Sequence, residues 1–271
     1  MNFIFRLILG SFLINVLVWS LFVVDVYALN LGTNITIYDG QTSNTYSSST
    51  TKMGYDGIGQ DKEDQETEPN TLRSEDWDLE GVFLNGTVLS LVGQWNFING
   101  EDGASSTYDK DGDGKYTSGD IFINTDTDSD YEYVFDVDWL SKKYTLYGII
   151  SAQLINPSYK TPDSDPWKID VSKSTLKNLS NGYLTLGTDS SDQFYGNSIH
   201  NVVSGFDLMP ILLDLDVDSL DFKVHFTMEC GNDEMEGQGT APVPEPATVI
   251  LMGIGLIGVA GFGRKKIKKQ A

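Results

Sequence analysis

The C-terminal stretch from Val243 to Gln270 most constrains how this chain folds, because it has the pattern of a membrane segment and not of a globular core. Pro244, Glu245 and Pro246 precede an uninterrupted apolar run over residues 247–263. Proline cannot continue a helix, and the glycines of this run are tolerated better in lipid than in a soluble helix. Its 17 residues fall at the short end of the roughly 17–25 that span a bilayer. We therefore predict a transmembrane helix over residues 247–263 and place residues 243–271 outside the globular fold.

A basic cluster follows the apolar run. It consists of Arg264, Lys265, Lys266, Lys268 and Lys269. Cations at one end of a membrane span hold that end on the cytoplasmic side. The order of proline–glutamate–proline, apolar run and basic tail over residues 264–269 resembles the PEP-CTERM tail of exported bacterial proteins. This resemblance implies recognition and processing by an exosortase, a membrane-embedded transpeptidase-like enzyme. An ordinary single-span anchor is the alternative.

The first 28 residues have the pattern of a signal peptide. Arg6 precedes an apolar run over residues 7–24, and Val26, Tyr27 and Ala28 follow it. These last residues suit the positions that signal peptidase recognises, so we predict a signal helix over residues 1–28 with cleavage after Ala28. The run is long for a signal peptide, which leaves an uncleaved N-terminal anchor as the alternative. In either case the middle of the chain is exported.

The exported part is strongly acidic. Between residues 29 and 263 lie 12 of the 18 Lys and Arg residues and 38 of the 39 Asp and Glu residues. The net charge of this part is therefore −26. Such a surface repels nucleic acid and attracts divalent cations, so we expect no nucleic-acid partner. Cys230 is the single cysteine, which excludes an intrachain disulfide. We expect a partly buried thiol there and not a catalytic pair with His200 or His225.

Alternating side chains predict an all-β fold between the two targeting segments. Apolar and polar residues alternate with period two over residues 87–97, 131–137 and 222–228, and the last of these places His225 away from the core. Shorter strands are expected over residues 34–38, 79–84, 121–124, 144–150, 182–186 and 206–213. Many short strands predict a single jelly-roll-like β-sandwich over residues 29–242. Residues 41–75 are polar and offer no core face, so we expect a mobile loop there.

The strongest metal-binding motif has the ligand spacing of an EF-hand loop. The predicted calcium ligands, at loop positions 1, 3, 5, 7, 9 and 12, are Asp109, Asp111, Asp113, Lys115, Thr117 and Asp120, with Lys115 offering its backbone carbonyl. Gly114 permits the sharp turn at position 6. Asp120 stands where an EF-hand has the longer Glu, and the flanking residues lack helical patterns. We therefore predict an EF-like calcium loop between strands, with an acidic hairpin turn as the alternative.

A second acidic run provides a weaker calcium candidate. Asp126, Asp128 and Asp130 alternate along the chain, but Tyr131 stands where an EF-hand loop needs glycine. A hairpin tip between residues 121–123 and 133–135 explains this run without a metal.

Four segments, taken in their order along the chain, support a second resemblance. WDLEGVFL and TVLSLVGQWNF are followed by YTSGDIFINTD and DYEYVFDVDW. Together they resemble the strand signature of family-nine carbohydrate-binding-module-like and DOMON-like β-sandwiches. The resemblance implies a jelly roll with calcium near its loops and a ligand face. Trp77, Trp95, Trp139 and Trp167 are candidate platforms for sugar stacking, although core packing is the better interpretation of each.

Enzymatic motifs are absent from the sequence. It contains no serine-hydrolase, zinc-protease or nucleotide-binding fingerprint. We therefore expect no enzyme, but a protein transiently anchored in the cytoplasmic membrane and delivered to the surface or extracellular matrix of a Gram-negative bacterium. Its role would be structural or adhesive, with exopolysaccharide as partner. The alternative is a carbohydrate-binding module with a defined glycan site. A glycan hydrolase is the weaker alternative, because nothing singles out a catalytic carboxylate pair.

Overall fold

The computed structural model describes residues 30–37, 77–102, 112, 114–126, 128, 130–157, 164–189, 199–231 and 233–242. The predicted signal peptide, the polar loop over residues 41–75 and the tail over residues 243–271 lie outside these ranges. Within them, no helix is both long and apolar enough to cross a membrane.

Short strands make up most of the described chain. They are β1 (Thr33–Asn34), β2 (Leu79–Asn85), β3 (Val88–Gly93), β4 (Glu101–Asp102), β5 (Lys115–Tyr116), β6 (Ile121–Asn124), β7 (Tyr133–Asp138), β8 (Lys143–Ser151), β9 (Leu154–Ile155), β10 (Lys168–Ile169), β11 (Thr175–Tyr183), β12 (Thr185–Asp189), β13 (His200–Asp207), β14 (Ser219–Thr227) and β15 (Glu234–Pro242). A 3₁₀ turn at Val171–Lys173 and one α-helix, α1 (Met209–Leu215), complete the described elements. The predicted β fold is confirmed, with a short helix in addition.

The strands form two large antiparallel sheets. One has five strands in the order β1-β2-β3-β13-β12, and the other has six in the order β11-β8-β7-β6-β14-β15. Two small sheets, β9 with β10 and β4 with β5, lie outside them. Hairpins join β2 to β3, β6 to β7, β7 to β8 and β14 to β15. The narrower jelly-roll topology stays a prediction.

One hydrophobic core lies between the two large sheets. Leu91 of the five-stranded sheet is in the same buried cluster as Phe135 and Phe226 of the six-stranded sheet. Phe206 of β13 packs edge-on against Phe135, with ring centroids 5.6 Å apart. Burying each such side chain contributes about 1.5–3 kcal/mol to folding, so the period-two pattern directly stabilises the packing of the two sheets.

Backbone segments join the two sheets at both sides. Residues 35–37 bond to both of them: Ile35 N donates to Val82 O in β2, and Ile37 N donates to Glu236 O in β15. At the other side, β11 of the six-stranded sheet runs through Leu184 into β12 of the five-stranded sheet. Edge strands with unpaired backbone groups invite association with other chains, and these connections reduce that exposure.

The strand predicted over residues 206–213 is wrong beyond Asp207. There β13 ends and α1 begins, because Asp207 Oδ1 accepts the Met209 N–H at 3.0 Å and turns the chain. Pro210 lies in the first turn of α1. Proline has no N–H for a strand ladder but is well tolerated at a helix start.

Candidate functional site

The loop between β6 and β7 is shaped by short polar side chains that bond to the backbone two residues later. Asp126 N donates to Asn124 Oδ1 at 3.0 Å, Asp128 N to Asp126 Oδ1 at 2.8 Å, and Asp130 N to Asp128 Oδ1 at 2.9 Å. The buried Asn124 amide donates in turn to the carbonyls of Asp128 and Asp130, both at 2.7 Å. Asn and Asp favour such turns. The predicted hairpin tip is thereby confirmed, since Ile121 pairs with Phe135 and Ile123 with Tyr133.

Three carboxylates converge on this loop. Asp126, Asp128 and Glu132 each offer an oxygen, and these oxygens lie within 4.8 Å of one another. Two oxygens on opposite sides of a calcium ion, each at about 2.4 Å, are separated by about that distance. The spacing therefore fits a shared divalent cation. Calcium takes roughly six to eight oxygen ligands, so carbonyls or water would have to complete the shell.

Glu132 enters this cluster in place of the predicted Asp130. Its Oε2 accepts hydrogen bonds from Thr125 N at 2.6 Å and Thr125 Oγ1 at 3.1 Å. These bonds hold the side chain across the neck of the hairpin, beside Asp126 and Asp128. The sequence carried a signal, because Glu132 continues the alternate carboxylates of the acidic run.

An open cleft of about 630 Å³ adjoins the cluster. Asp128, Asp130 and Glu132 line one side of it, and Asp165 and Pro166 are also at its wall. The Asn156 amide donates to Asp165 Oδ2 at 2.6 Å. The cleft is therefore acidic, which agrees with attraction of cations and not of anionic groups.

The described side chains of the first predicted calcium loop have protein partners, although the ligand predicted at Lys115 is its backbone carbonyl. Lys115 Nζ forms an ion pair with Asp102 at 2.9 Å, across the β4–β5 pair. Thr117 donates through N and Oγ1 to Glu229 Oε2, at 3.2 and 3.3 Å. Asp109, Asp111 and Asp113 lie outside the described residues, so occupation of this loop stays a prediction.

Asp120 is buried away from solvent and clamps two backbone segments. Its Oδ1 accepts the Val137 N–H at 3.1 Å, and its Oδ2 accepts the Ile169 N–H at 2.9 Å. Burial, reinforced by the nearby Asp136 charge, raises the pKa of Asp120 to about 7. The residue predicted as the last calcium ligand thus joins β7 to β10.

A strap, formed by residues 152–157 and 164–170, lies over part of the outer face of the six-stranded sheet. Ile169 packs there with Phe122 and Val134. His225 points away from the core as predicted, yet it is buried, and its Nε2 donates to Pro166 O at 3.1 Å. Burial lowers the pKa of His225 to about 4. The imidazole is therefore neutral at neutral pH and acts in packing.

The remaining candidate residues pack in or against the core, except Trp167, which is buried in the strap. Trp95, Trp139 and Trp167 are buried, and the half-buried Trp77 packs against Trp95 with ring centroids 5.5 Å apart. Core packing is confirmed for Trp95 and Trp139, and Trp77 packs against the same core cluster. Cys230 is also buried in the core cluster, more deeply than the partly buried thiol expected from the sequence.

A buried glutamate–histidine pair was missed by sequence reasoning. Glu80 Oε1 and His200 Nε2 are 2.9 Å apart, and both side chains are fully buried. Buried polar groups need such partners. The one available signal was Glu80 within the otherwise apolar pattern of β2, and it did not identify His200.

Comparison with known families decides the nature of the tail. Residues 242–265 match the family model described as the PEP-CTERM protein-sorting motif. The chain carries a PEP-CTERM sorting motif. No curated protein and no solved structure matches the chain. The carbohydrate-binding-module-like and DOMON-like resemblance of the middle therefore stays a prediction.

The PEP-CTERM motif begins where the folded sheet ends. Its match starts at residue 242, and β15 ends at Pro242. β15 is paired with β14 along its whole length, from Thr227↔Glu234 to Ser219↔Pro242. Cutting the chain within the PEP-CTERM segment would leave this strand intact. The motif marks an exported, membrane-transiting surface protein that an exosortase processes.

Proposed function

We propose that this protein is delivered to the surface or extracellular matrix of a Gram-negative bacterium, where its β-sandwich has a structural or adhesive role with exopolysaccharide. The observation that carries the proposal is the PEP-CTERM motif at residues 242–265, directly after the last strand. In this proposal, signal peptidase acts after Ala28, the helix over residues 247–263 holds the chain in the cytoplasmic membrane, and the exosortase then releases the folded part. The proposal contains no catalytic step.

The sorting step is tested by changing Pro244, Glu245 and Pro246 together to alanine in a host that has an exosortase. We expect export to continue while processing stops, since the signal peptide and the sorting motif are separate devices. Mass spectrometry of the membrane and surface fractions reads the outcome, because only an unprocessed chain, which stays in the cytoplasmic membrane, keeps the peptide with Lys268 and Lys269.

The matched control is Gln238→Ala, an exposed side chain of β15 outside the motif. It should be processed normally. Wild-type protein that reaches the surface with its lysine cluster intact would contradict the proposal.

We further propose that calcium stabilises the fold, bound by Asp126, Asp128 and Glu132 and by the predicted loop of Asp109, Asp111 and Asp113. The three described oxygens within 4.8 Å support the first of these sites. A cation there offsets repulsion among the carboxylates. Since it binds only the folded chain, calcium at 100 times its dissociation constant would add about 2.7 kcal/mol.

Thermal unfolding with millimolar calcium and then with EDTA tests this proposal. Asp126→Asn with Asp128→Asn removes two charges and keeps the oxygens that accept the loop N–H groups, so most of the calcium-dependent rise in Tm should disappear. Asp109→Asn with Asp113→Asn tests the other loop separately. Asp216→Asn with Asp218→Asn removes two exposed acids elsewhere and should change nothing. A Tm insensitive to calcium and EDTA in the wild type excludes both sites.

A further inference from the structure

An open groove lies on the outer face of the six-stranded sheet, at the ends of β7, β8 and β11. Its volume is about 350 Å³. Strand register places two rows of side chains across it. The first row is Asp136, Thr145 and Asn181, and the second is Asp138, Lys143 and Tyr183. Because neighbours along a row share one face of the sheet, each row presents three side chains on the same side.

Tyr183 is the aromatic side chain that this surface exposes. It is 74% exposed, and it is the single aromatic among the large hydrophobic side chains exposed within the described residues. Lys143 Nζ lies 5.5 Å from the centre of its ring. Most of the tyrosine nevertheless remains open to solvent. The four tryptophans that were candidate sugar platforms are buried or packed against the core, so Tyr183 is the side chain placed for stacking.

The strand beneath Tyr183 is held by the core. A β carbon at Gly182 would overlap the ring of Tyr144, which packs on the opposite face of the sheet. Tyr144 is fixed in turn by Phe135, at 5.1 Å between ring centroids, and by the Asp207 N–H, which donates to its hydroxyl at 3.3 Å. The floor of the groove is therefore rigid, which lowers the ordering cost of binding.

Hydrogen-bonding groups flank the aromatic ring. Thr145 Oγ1 donates to Asn181 Oδ1 at 2.9 Å, which orients the amide with its nitrogen as a donor. Hydrogen bonds from the Ser141 side chain and from the Ser141 N–H, the latter at 3.0 Å, lower the pKa of the Asp138 carboxyl. Asp138 is therefore an ionised acceptor at neutral pH. Donors and acceptors beside a flat apolar ring suit a ligand with hydroxyl groups and apolar C–H faces.

The charge of the groove restricts that ligand further. Asp136 and Asp138 outnumber Lys143, and the whole exported part has a net charge near −26. Polyuronates, sulfated polymers and nucleic acids are repelled by such a surface. We propose that this groove binds a neutral glycan chain, with a sugar ring stacked on Tyr183 and hydroxyls bonded to Asp138, Asn181 and Thr145. This inference rests on the proposed matrix role and names the surface that performs it.

Affinity electrophoresis of the processed protein, purified from the surface of a host with an exosortase, tests the inference. The gels contain dextran, xylan, mixed-linkage glucan or the host's neutral exopolysaccharide, with alginate as the anionic probe. We expect at least one neutral polymer to slow the protein and alginate to have no effect. Tyr183→Ala should weaken that retardation at least tenfold, whereas Tyr183→Phe, which keeps the ring, should retain most of it.

Leu186→Ala is the matched control, since it truncates a partly exposed side chain of the neighbouring strand β12. It should bind like the wild type. The inference is overturned if no neutral polymer slows the protein or if alginate alone slows it. It is also overturned if Tyr183→Ala is slowed as much as the wild type. Mass spectrometry of the C-terminus in the same samples shows whether the chain was processed. A correctly processed chain that binds no glycan rejects glycan binding in the groove and leaves the sorting proposal intact.

Discussion

The outer face of the six-stranded sheet is covered in one region and open in another. Over β6 and β14 the strap buries Phe122 and His225. Over the ends of β7, β8 and β11 the same face carries Tyr183 in an open groove. The two regions share one sheet and one alternation of side chains. Their difference therefore arises from what packs above the sheet, and of these two regions the open one leaves its strand side chains accessible to a large ligand.

Two aspartates show what this difference does to chemistry. Asp120 is buried beside the strap, and its pKa is raised to about 7 by that burial. Asp138 lies at the open groove, and bonds from Ser141 lower the pKa of its carboxyl. The same residue type thus joins backbone segments in the covered region and remains an ionised surface acceptor in the open one.

The largest expected effect is the loss of the clamp in the covered region. Asp120→Ala leaves the N–H groups of Val137 and Ile169 without the carboxyl oxygens that accept them, and each buried N–H without a bond costs about 1–3 kcal/mol. We expect urea unfolding at pH 6 to show a loss of several kcal/mol. Asp221→Ala, which removes an exposed carboxylate bonded to Thr240, is the control and should lose far less. Equal midpoints for the two variants would contradict the role of the clamp.

The second prediction concerns pH and His225. Its pKa is lowered to about 4 in the fold, so between pH 4 and 6.5 the unfolded chain binds more protons. The free energy of unfolding therefore falls as the pH drops through this window, by up to about 3 kcal/mol at roughly 1.4 kcal/mol per pKa unit. His225→Gln keeps a donor for Pro166 O and cannot titrate, so it should lose this dependence.

The contribution of His225 is isolated by comparing the wild type with His225→Gln, because the wild-type curve alone contains the contributions of other groups. Asp120 has a raised pKa, so its contribution is present at low pH and is lost as the pH rises towards 7. The pH dependence of stability from Asp120 is therefore opposite in sign to that from His225. The unfolding free energy is measured at pH 4.5 and at pH 7 for both proteins. If it changes by the same amount in the wild type and in His225→Gln, the imidazole is not buried.

The period-two alternation predicted most strands, because it reflects which side chains are buried against the facing sheet. It succeeded for residues 133–137 and 222–228, which overlap β7 and β14, whereas Tyr131 packs on the outer face with Phe122 and not on the core face. It did not predict the strap, although Ile121, Phe122 and Ile123 are apolar in succession, which is typical of a strand covered on both faces. The strap is a non-local contact, and period two carries no information about which segment supplies it.

The candidate sites were predicted only where spacing along the chain sets the geometry. Asp126 and Asp128 converge as alternate residues of one turn, whereas Glu132 replaces Asp130 because Thr125 holds its side chain across the hairpin. Exposure of Tyr183 could not be predicted, since it depends on strand order in the sheet. Asp109, Asp111 and Asp113 lie outside the described residues and remain a prediction.

A third prediction tests the rigid floor of the open region. Gly182→Ala places a methyl group against the Tyr144 ring, which Phe135 and the Asp207 N–H hold in place. Overpacking of this kind costs about 1–3 kcal/mol. Gly148→Ala on the neighbouring strand is the matched control, because its methyl would meet Tyr133 only at ordinary contact distance. A lower Tm for Gly182→Ala alone is expected, and equal Tm values would mean that the floor can relax.

The smallest effect is expected at the groove surface. Tyr183 is 74% exposed, and a cation–π contact at an exposed site contributes about 0.5–1 kcal/mol. Tyr183→Ala should therefore change the free energy of unfolding by less than about 1 kcal/mol, as measured by urea denaturation beside Leu186→Ala. A small change would mean that any lost glycan binding reflects the missing ring and not a damaged fold. A loss above about 2 kcal/mol would show that the tyrosine packs within the protein, and the contrast between a covered and an open region would then fail at its most exposed residue.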